Sequence, residues 1–134
     1  MMAAAIVSVS IGGWRLYARW YARDVARRNS IAVTRAHVAS YETALNEFAL
    51  DAGRYPTTAE GLAALVQQPP GLRGWKGPYV RPPLRPDIWG NAYTYTETGG
   101  GYRVASLGPD GKPATRDDIV RSGPAVGSGQ RPPP

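Results

Sequence analysis

A chain of 134 residues can bury one hydrophobic core but not two comfortable ones, so a single domain with tails is expected. Sixteen Gly and 13 Pro mark much of it as loop and turn, and the absence of cysteine excludes a disulfide framework, thiolate catalysis and a cysteine-based zinc site. The net charge of +6 suits an anionic membrane surface, a nucleic acid or plain solubility, so where the charge lies matters more than its sum.

Residues Met1 to Gly13 are apolar or small and uncharged, a run shorter than the roughly 20 residues that a spanning helix needs. No basic residue precedes the run, which makes it a poor secretory signal; it reads either as a weak membrane anchor or as a start that lacks upstream residues. Trp14, Tyr17, Trp20 and Tyr21 then mix with arginine in the manner of a membrane interface. Arg15, Arg19, Arg23 and Arg27 recur at four-residue steps, which on a helix makes a row along one side. A solvated or headgroup-facing side is the first reading of this row, and a grip on nucleic acid the second.

From Ala3 to Leu50 there is no proline, and glycine occurs only as Gly12-Gly13, so one helix of about 70 Å is permitted at 1.5 Å per residue. Trp14, Tyr17/Ala18, Tyr21 and Val25 form one apolar stripe, and Val38, Tyr41, Leu45 and Phe48 form a clearer one that predicts an inward face. A helix this long exceeds what a small domain can cover, so its first half needs lipid or the same helix of other copies as partner. Asp51-Ala52-Gly53 and Pro56 predict its end. Thr57 and Glu60 have capping-box spacing and predict a short second helix carrying Leu62, Leu65 and Val66, ended by Pro69-Pro70.

Residues 71–90 read as an irregular connection packed down by Trp75, Tyr79 and Trp89. Tyr93 and Tyr95 alternate with Thr94 and Thr96, and Tyr102, Val104 and Ser106 alternate with Arg103, Ala105 and Leu107. Thr98-Gly99-Gly100-Gly101 between these runs predicts a hairpin. A final short apolar pair comes at Ile119-Val120, and from Ser122 the Pro/Gly-rich tail lacks the apolar surface to fold. The simplest architecture is α+β, with the second half of the helix laid on a two-stranded ribbon.

His37, the only histidine, sits mid-helix with no nucleophile motif near it and reads as structural. Gly99-Gly100-Gly101 lies between strands, where a turn explains it better than a phosphate loop. The richest constellation runs from Ser106 to Ile119, with Asp110, Asp117 and Asp118 in a Gly/Pro-rich loop after a strand. Calcium takes six to eight oxygens at about 2.3–2.6 Å, and such a loop can offer carboxylates and carbonyls together. The spacing is not that of an EF-hand, and a plain solvated turn with Asp118 as a cap is the rival reading; magnesium, which keeps its waters, fits less well.

Four segments in order then resemble the major pseudopilins of type II secretion systems, the general secretion pathway protein G family, which are relatives of type IV pilins. They are Leu50-Asp51-Ala52-Gly53-Arg54-Tyr55-Pro56-Thr57-Thr58-Ala59-Glu60-Gly61-Leu62, Pro69-Pro70-Gly71-Leu72-Arg73-Gly74-Trp75-Lys76-Gly77-Pro78-Tyr79, Asp87-Ile88-Trp89-Gly90-Asn91-Ala92-Tyr93, and the acidic loop opened by Ser106-Leu107-Gly108. The resemblance implies a pilin-like fold, a long N-terminal helix on a small antiparallel sheet with a calcium-binding loop. Residues 1–37 would be the membrane and fibre-core half of the helix, 38–121 the globular domain in the periplasm, and 122–134 a disordered tail. It implies Ca2+ held by the carboxylates of Asp110, Asp117 and Asp118 and the carbonyls of Leu107 and Thr115.

It further implies a structural, non-enzymatic subunit that polymerises with copies of itself into a helical fibre. Its partners would be minor pseudopilins and the inner-membrane secretion platform, with the N-terminal helix attached to the inner membrane. The segment before Asp24 departs from the family pattern in having no acidic residue near the start of the apolar run and no recognisable leader cleavage motif. That departure leaves two alternatives open: a divergent pilin-like protein that does not polymerise and, as the weaker one, a nucleic-acid-binding relative using the Arg15 to Arg27 row.

Overall fold

A computed structural model describes residues 11–126. Its elements are helix α1 (Ile11–Ala52), a 3-10 helix (Gly61–Leu65), and strands β1 (Thr94–Thr98), β2 (Gly101–Ser106) and β3 (Ile119–Gly123). The apolar start and the end of the Pro/Gly tail lie outside the described residues. Two compact units are distinguished, one through Ala32 and one from Val33. Thr34 is already fully buried and extends the inward stripe of α1 by one turn.

In the second unit Val38, Tyr41, Leu45 and Phe48 are all buried, as their spacing predicts, and Ala44 and Ala49 fill the same face where a larger side chain would hold the layers apart. The helix ends where expected, with the Gly53 N–H donating to the Ala49 carbonyl at 2.9 Å. The capping box also forms: Glu60 N–H donates to Thr57 Oγ1 at 3.1 Å and Thr57 N–H to Glu60 Oε2 at 2.9 Å. The short second helix follows the box as a 3-10 helix that starts at Gly61, whose φ of +60° separates it from the capped turn; it buries Leu62 and Leu65, and Val66 behind it is half-buried.

The proline-rich connection is fastened by its aromatics. Trp75 Nε1 donates to the Ala64 carbonyl at 2.8 Å, and Tyr79 Oη donates to Asp51 Oδ2 at 2.8 Å while its ring meets Phe48 edge-on at 5.7 Å. Trp89 is half-buried and stands outside the core cluster. The hairpin pairs Thr94 with Ala105 through Thr98 with Gly101 across the two-residue turn Gly99-Gly100.

The ribbon is three-stranded, not two-stranded. β3 pairs antiparallel with β2, Ser106 opposite Ile119 through Tyr102 opposite Gly123, giving the order β1-β2-β3. Ile119-Val120 is therefore the start of an edge strand, and Ser122 and Gly123 belong to the sheet rather than to a tail. β2 is central and is buried except at Arg103. Tyr41 of α1 meets Tyr93 just before β1 at 5.0 Å, and Tyr55 just after α1 meets Tyr102 of β2 at 4.7 Å, so aromatic pairs join the aliphatic residues of the core between helix and sheet. Burial, first of all, pushes the Tyr93 hydroxyl up to about 12 and raises those of Tyr95 and Tyr102 as well.

Candidate metal centre

The acidic loop leaves β2 at Ser106 and returns as β3 at Ile119. Its root is a buried polar network that the sequence pattern does not announce. Asp87 is only 4% exposed, and its Oδ1 accepts the N–H groups of Trp89 at 3.1 Å and Asn91 at 2.8 Å. The Ser106 hydroxyl donates to Asp87 Oδ2 at 2.6 Å and in turn accepts the Gly108 N–H at 3.1 Å. Asn91 Nδ2 donates to the Gly108 carbonyl at 2.9 Å. A buried carboxylate is tolerated here because every partner is a donor aimed at it. The Asp87-to-Asn91 turn thus clamps the first residues of the loop to the end of β2. The available signal was an aspartate two residues before a Trp-Gly-Asn run, an Asx-turn pattern, but nothing in it names Ser106 as the partner.

Gly108 takes φ +66°, and a Cβ there would collide with the Asp117 carbonyl oxygen. The outgoing and returning limbs therefore touch at Gly108 and Asp117, next to Leu107 and Asp118. Thr115 and Asp118 are also brought together: the Thr115 hydroxyl is 3.3 Å from Asp118 Oδ1, and the Asp118 N–H donates to the Thr115 carbonyl at 3.3 Å. Asp118 Oδ2 accepts the Ala114 N–H at 2.9 Å. Asp110 is exposed and closes a turn of its own, its Oδ1 accepting the Lys112 N–H at 3.0 Å.

Among the described residues no three His, Cys, Asp or Glu side chains are grouped so as to hold a metal ion by themselves. The donor set nevertheless fits a hard cation in kind. An ionised carboxylate has about four lone-pair sites, so Asp110 and Asp118 keep acceptor capacity beyond the bonds they make. The loop's carbonyls lie outside the sheet ladder, as a calcium loop requires, and a cation here would draw on them as well as on the aspartates. His37 has Nδ1 3.2 Å from Tyr93 Oη, and its carbonyl accepts the Ser40 hydroxyl at 2.7 Å.

Residues 24–122 match the family described as Type II secretion system (T2SS), protein G. The chain belongs to the type II secretion system protein G family. It is 43% identical over 88 residues to the type II secretion system core protein G of Pectobacterium carotovorum subsp. carotovorum, a match covering 61% of this chain and 56% of that one. The core protein G of Klebsiella pneumoniae is 45% identical over 84 residues, covering 58% and 59%. The chain thus spans less than two thirds of the length of these curated relatives. Among solved structures, the major pseudopilin from the type 2 secretion system of enterohaemorrhagic Escherichia coli superposes with a TM-score of 0.64 at 34% identity, over 72% of this chain and 86% of that one.

The protein G match contains the buried half of α1, β1, β2, β3 up to its last residue, Asp87, Asn91 and the whole loop from Ser106 to Ile119, so the loop and its brace both lie within the shared region. The long helix on an antiparallel sheet is the architecture of that pseudopilin, with three strands in this chain.

Proposed function

We propose that this chain is a structural subunit of a type II secretion pseudopilus, polymerising with its own copies into a periplasmic fibre that helps export folded proteins. The carrying observation is membership of the protein G family over residues 24–122, supported by the likeness to a solved major pseudopilin. Minor pseudopilins and the inner-membrane secretion platform are its proposed partners. The N-terminal part of α1 is its proposed attachment to the inner membrane, with the second unit in the periplasm. Its role is structural rather than enzymatic.

Calcium belongs to the same reading. Asp110, Asp117 and Asp118 would hold it through carboxylates, and Leu107 and Thr115 through main-chain carbonyls. When bound, the ion supplies positive charge that relieves repulsion between the adjacent carboxylates of Asp117 and Asp118. Asp87, Ser106 and Asn91 keep the loop's root in place, and the Gly108–Asp117 contact keeps its limbs together.

The test is thermal unfolding of the full chain in calcium, in magnesium and in chelator, alongside electron microscopy for fibres. A cation bound only by the folded state at about 100 times its Kd adds about 2.7 kcal/mol. Calcium should raise Tm, and Asp117→Asn should abolish that increment. An unchanged Tm in chelator would remove calcium from the reading, and monomers under every assembly condition would remove the fibre.

A further inference from the structure

Between Trp14 and Arg27, α1 carries an aromatic side and an arginine side. At about 100° per residue, Trp14, Tyr17, Tyr21 and Val25 of α1 fall within an arc of about 80°. They are 63%, 56%, 56% and 37% exposed, so nothing within the described residues covers them. Trp14, Tyr17 and Tyr21 are neighbours in succession, with ring centroids 6.2 Å apart at each step. Arg15, Arg19, Arg23 and Arg27 occupy an arc of about 120° on the other side, with Leu16 and Ala26 among them and Trp20 at its border, while Arg28, paired with Asp24, falls on the aromatic side. One acid serves this whole segment: Asp24 pairs with Arg28 at 2.9 Å and with Arg27 at 3.7 Å, leaving Arg15, Arg19 and Arg23 without an acidic partner among the described residues.

Among the described residues no helix is long and apolar enough to cross a membrane. Arginines at every fourth position would put charge at successive depths of a bilayer if this segment spanned one, at a steep cost per residue near the centre. Laid flat, the same helix keeps Arg15, Arg19, Arg23 and Arg27 at headgroup level while tryptophan and tyrosine, side chains suited to that zone, enter the acyl boundary, and Arg28, paired with Asp24, closes the inward side at its C-terminal end. We infer that residues 14–28 bind an anionic lipid surface in the plane of the interface, with Trp14, Tyr17, Tyr21 and Val25 inward and the arginine row against the headgroups. This specifies the membrane attachment proposed above, and rests on it. The uncovered aromatic face selects lipid over nucleic acid, which would engage the arginines and leave the aromatic side in water.

The experiment uses the full chain with vesicles of phosphatidylcholine alone or with about one third phosphatidylglycerol. Binding is expected only to the anionic vesicles and should be lost in about 0.5 M salt, where charge is screened within a few ångströms. The quadruple variant R15Q/R19Q/R23Q/R27Q should bind at least about 100-fold more weakly, at about fivefold per arginine, with its circular dichroism unchanged because glutamine is a comparable helix former. The chain has no cysteine, so nitroxides can be placed singly at W14C, Y21C and V25C. Equal, shallow immersion of all three is expected. A spanning helix would separate the first from the last by about 16 Å in depth.

A depth gradient of that size, salt-insensitive binding to neutral vesicles, or tighter binding to duplex DNA than to anionic vesicles overturns the inference. Failure to bind vesicles by a chain that still forms calcium-stabilised fibres overturns this inference alone and leaves the proposed function standing.

Discussion

Replacing Asp87 by alanine removes the buried side chain that joins the Trp-Gly-Asn turn to Ser106 at the end of β2 and leaves the Asn91–Gly108 bond as the remaining side-chain tie. Three donors lose their acceptor: the Trp89 and Asn91 N–H groups and the Ser106 hydroxyl. Hydrogen bonds to a charged acceptor contribute about 1.5–3 kcal/mol each, but three on one carboxylate are not additive and relaxation recovers part, so the net cost should be about 4 kcal/mol. At roughly 4–8 °C per kcal/mol for a domain of this size, Tm should fall by at least about 15 °C. Ser106→Ala leaves Asp87 Oδ2 and the Gly108 N–H each short of a partner and should cost about 2 kcal/mol. Because the two residues share one bond, the double variant should cost less than the sum of the singles, by about 1–2 kcal/mol. Urea unfolding of the full chain and its three variants, with calcium fixed, measures all of these quantities. A loss below about 1 kcal/mol for Asp87→Ala, or strict additivity with Ser106→Ala, would refute the claim that this pair anchors the loop.

Gly108→Ala forces a side chain into positive φ and against the Asp117 carbonyl, so it should cost at least about 2 kcal/mol and weaken calcium stabilisation more than Gly99→Ala, whose Cβ would meet nothing; paired melts with and without chelator check this. Glu60 is held below the usual carboxylate range chiefly by the two-pronged hydrogen bond from Arg54, with the Thr57 N–H adding to it. Its stabilisation is thus present above the unfolded carboxylate pKa and fades as pH falls through the folded one; Glu60→Gln should cost about 1 kcal/mol at pH 7 and nearly nothing in acid, as read by unfolding at both pH values. The raised Tyr93, Tyr95 and Tyr102 hydroxyls act at the other end of the scale. Their neutral forms are favoured by folding, so stability is intact below pH of about 10 and falls above it by about 1.4 kcal/mol per pH unit for each tyrosine whose ionisation is delayed. Phenolate absorbance during an alkaline titration should therefore appear in part only as the chain unfolds.

Features that depend on neighbours within a few residues were open to reading from the chain alone. The stripe Val38, Tyr41, Leu45 and Phe48 dictates the buried face of α1 because side chains three and four apart share a side. Gly53 ends the helix and Gly99-Gly100 turns the hairpin, each through a conformation set locally. Even the residues of the acidic loop stand out by composition and by their place after a strand. Gly61 shows the limit of such reasoning: the capping box announces a short helix, and the positive φ at Gly61 that sets the box off from the 3-10 helix is not written in the box itself.

Tertiary structure decided what depends on residues far apart in sequence. Ile119-Val120 is too short to declare itself a strand and becomes one only because the open edge of β2 presents unpaired N–H and C=O groups to it. Asp87 and Ser106 are 19 positions apart, and no local pattern says that the aspartate's donors include that hydroxyl. The physical difference is one of range: periodicity, caps and turns are written in contacts along the chain, whereas a buried carboxylate gathers its donors across it. That gathering is what roots the loop on which the candidate metal centre depends.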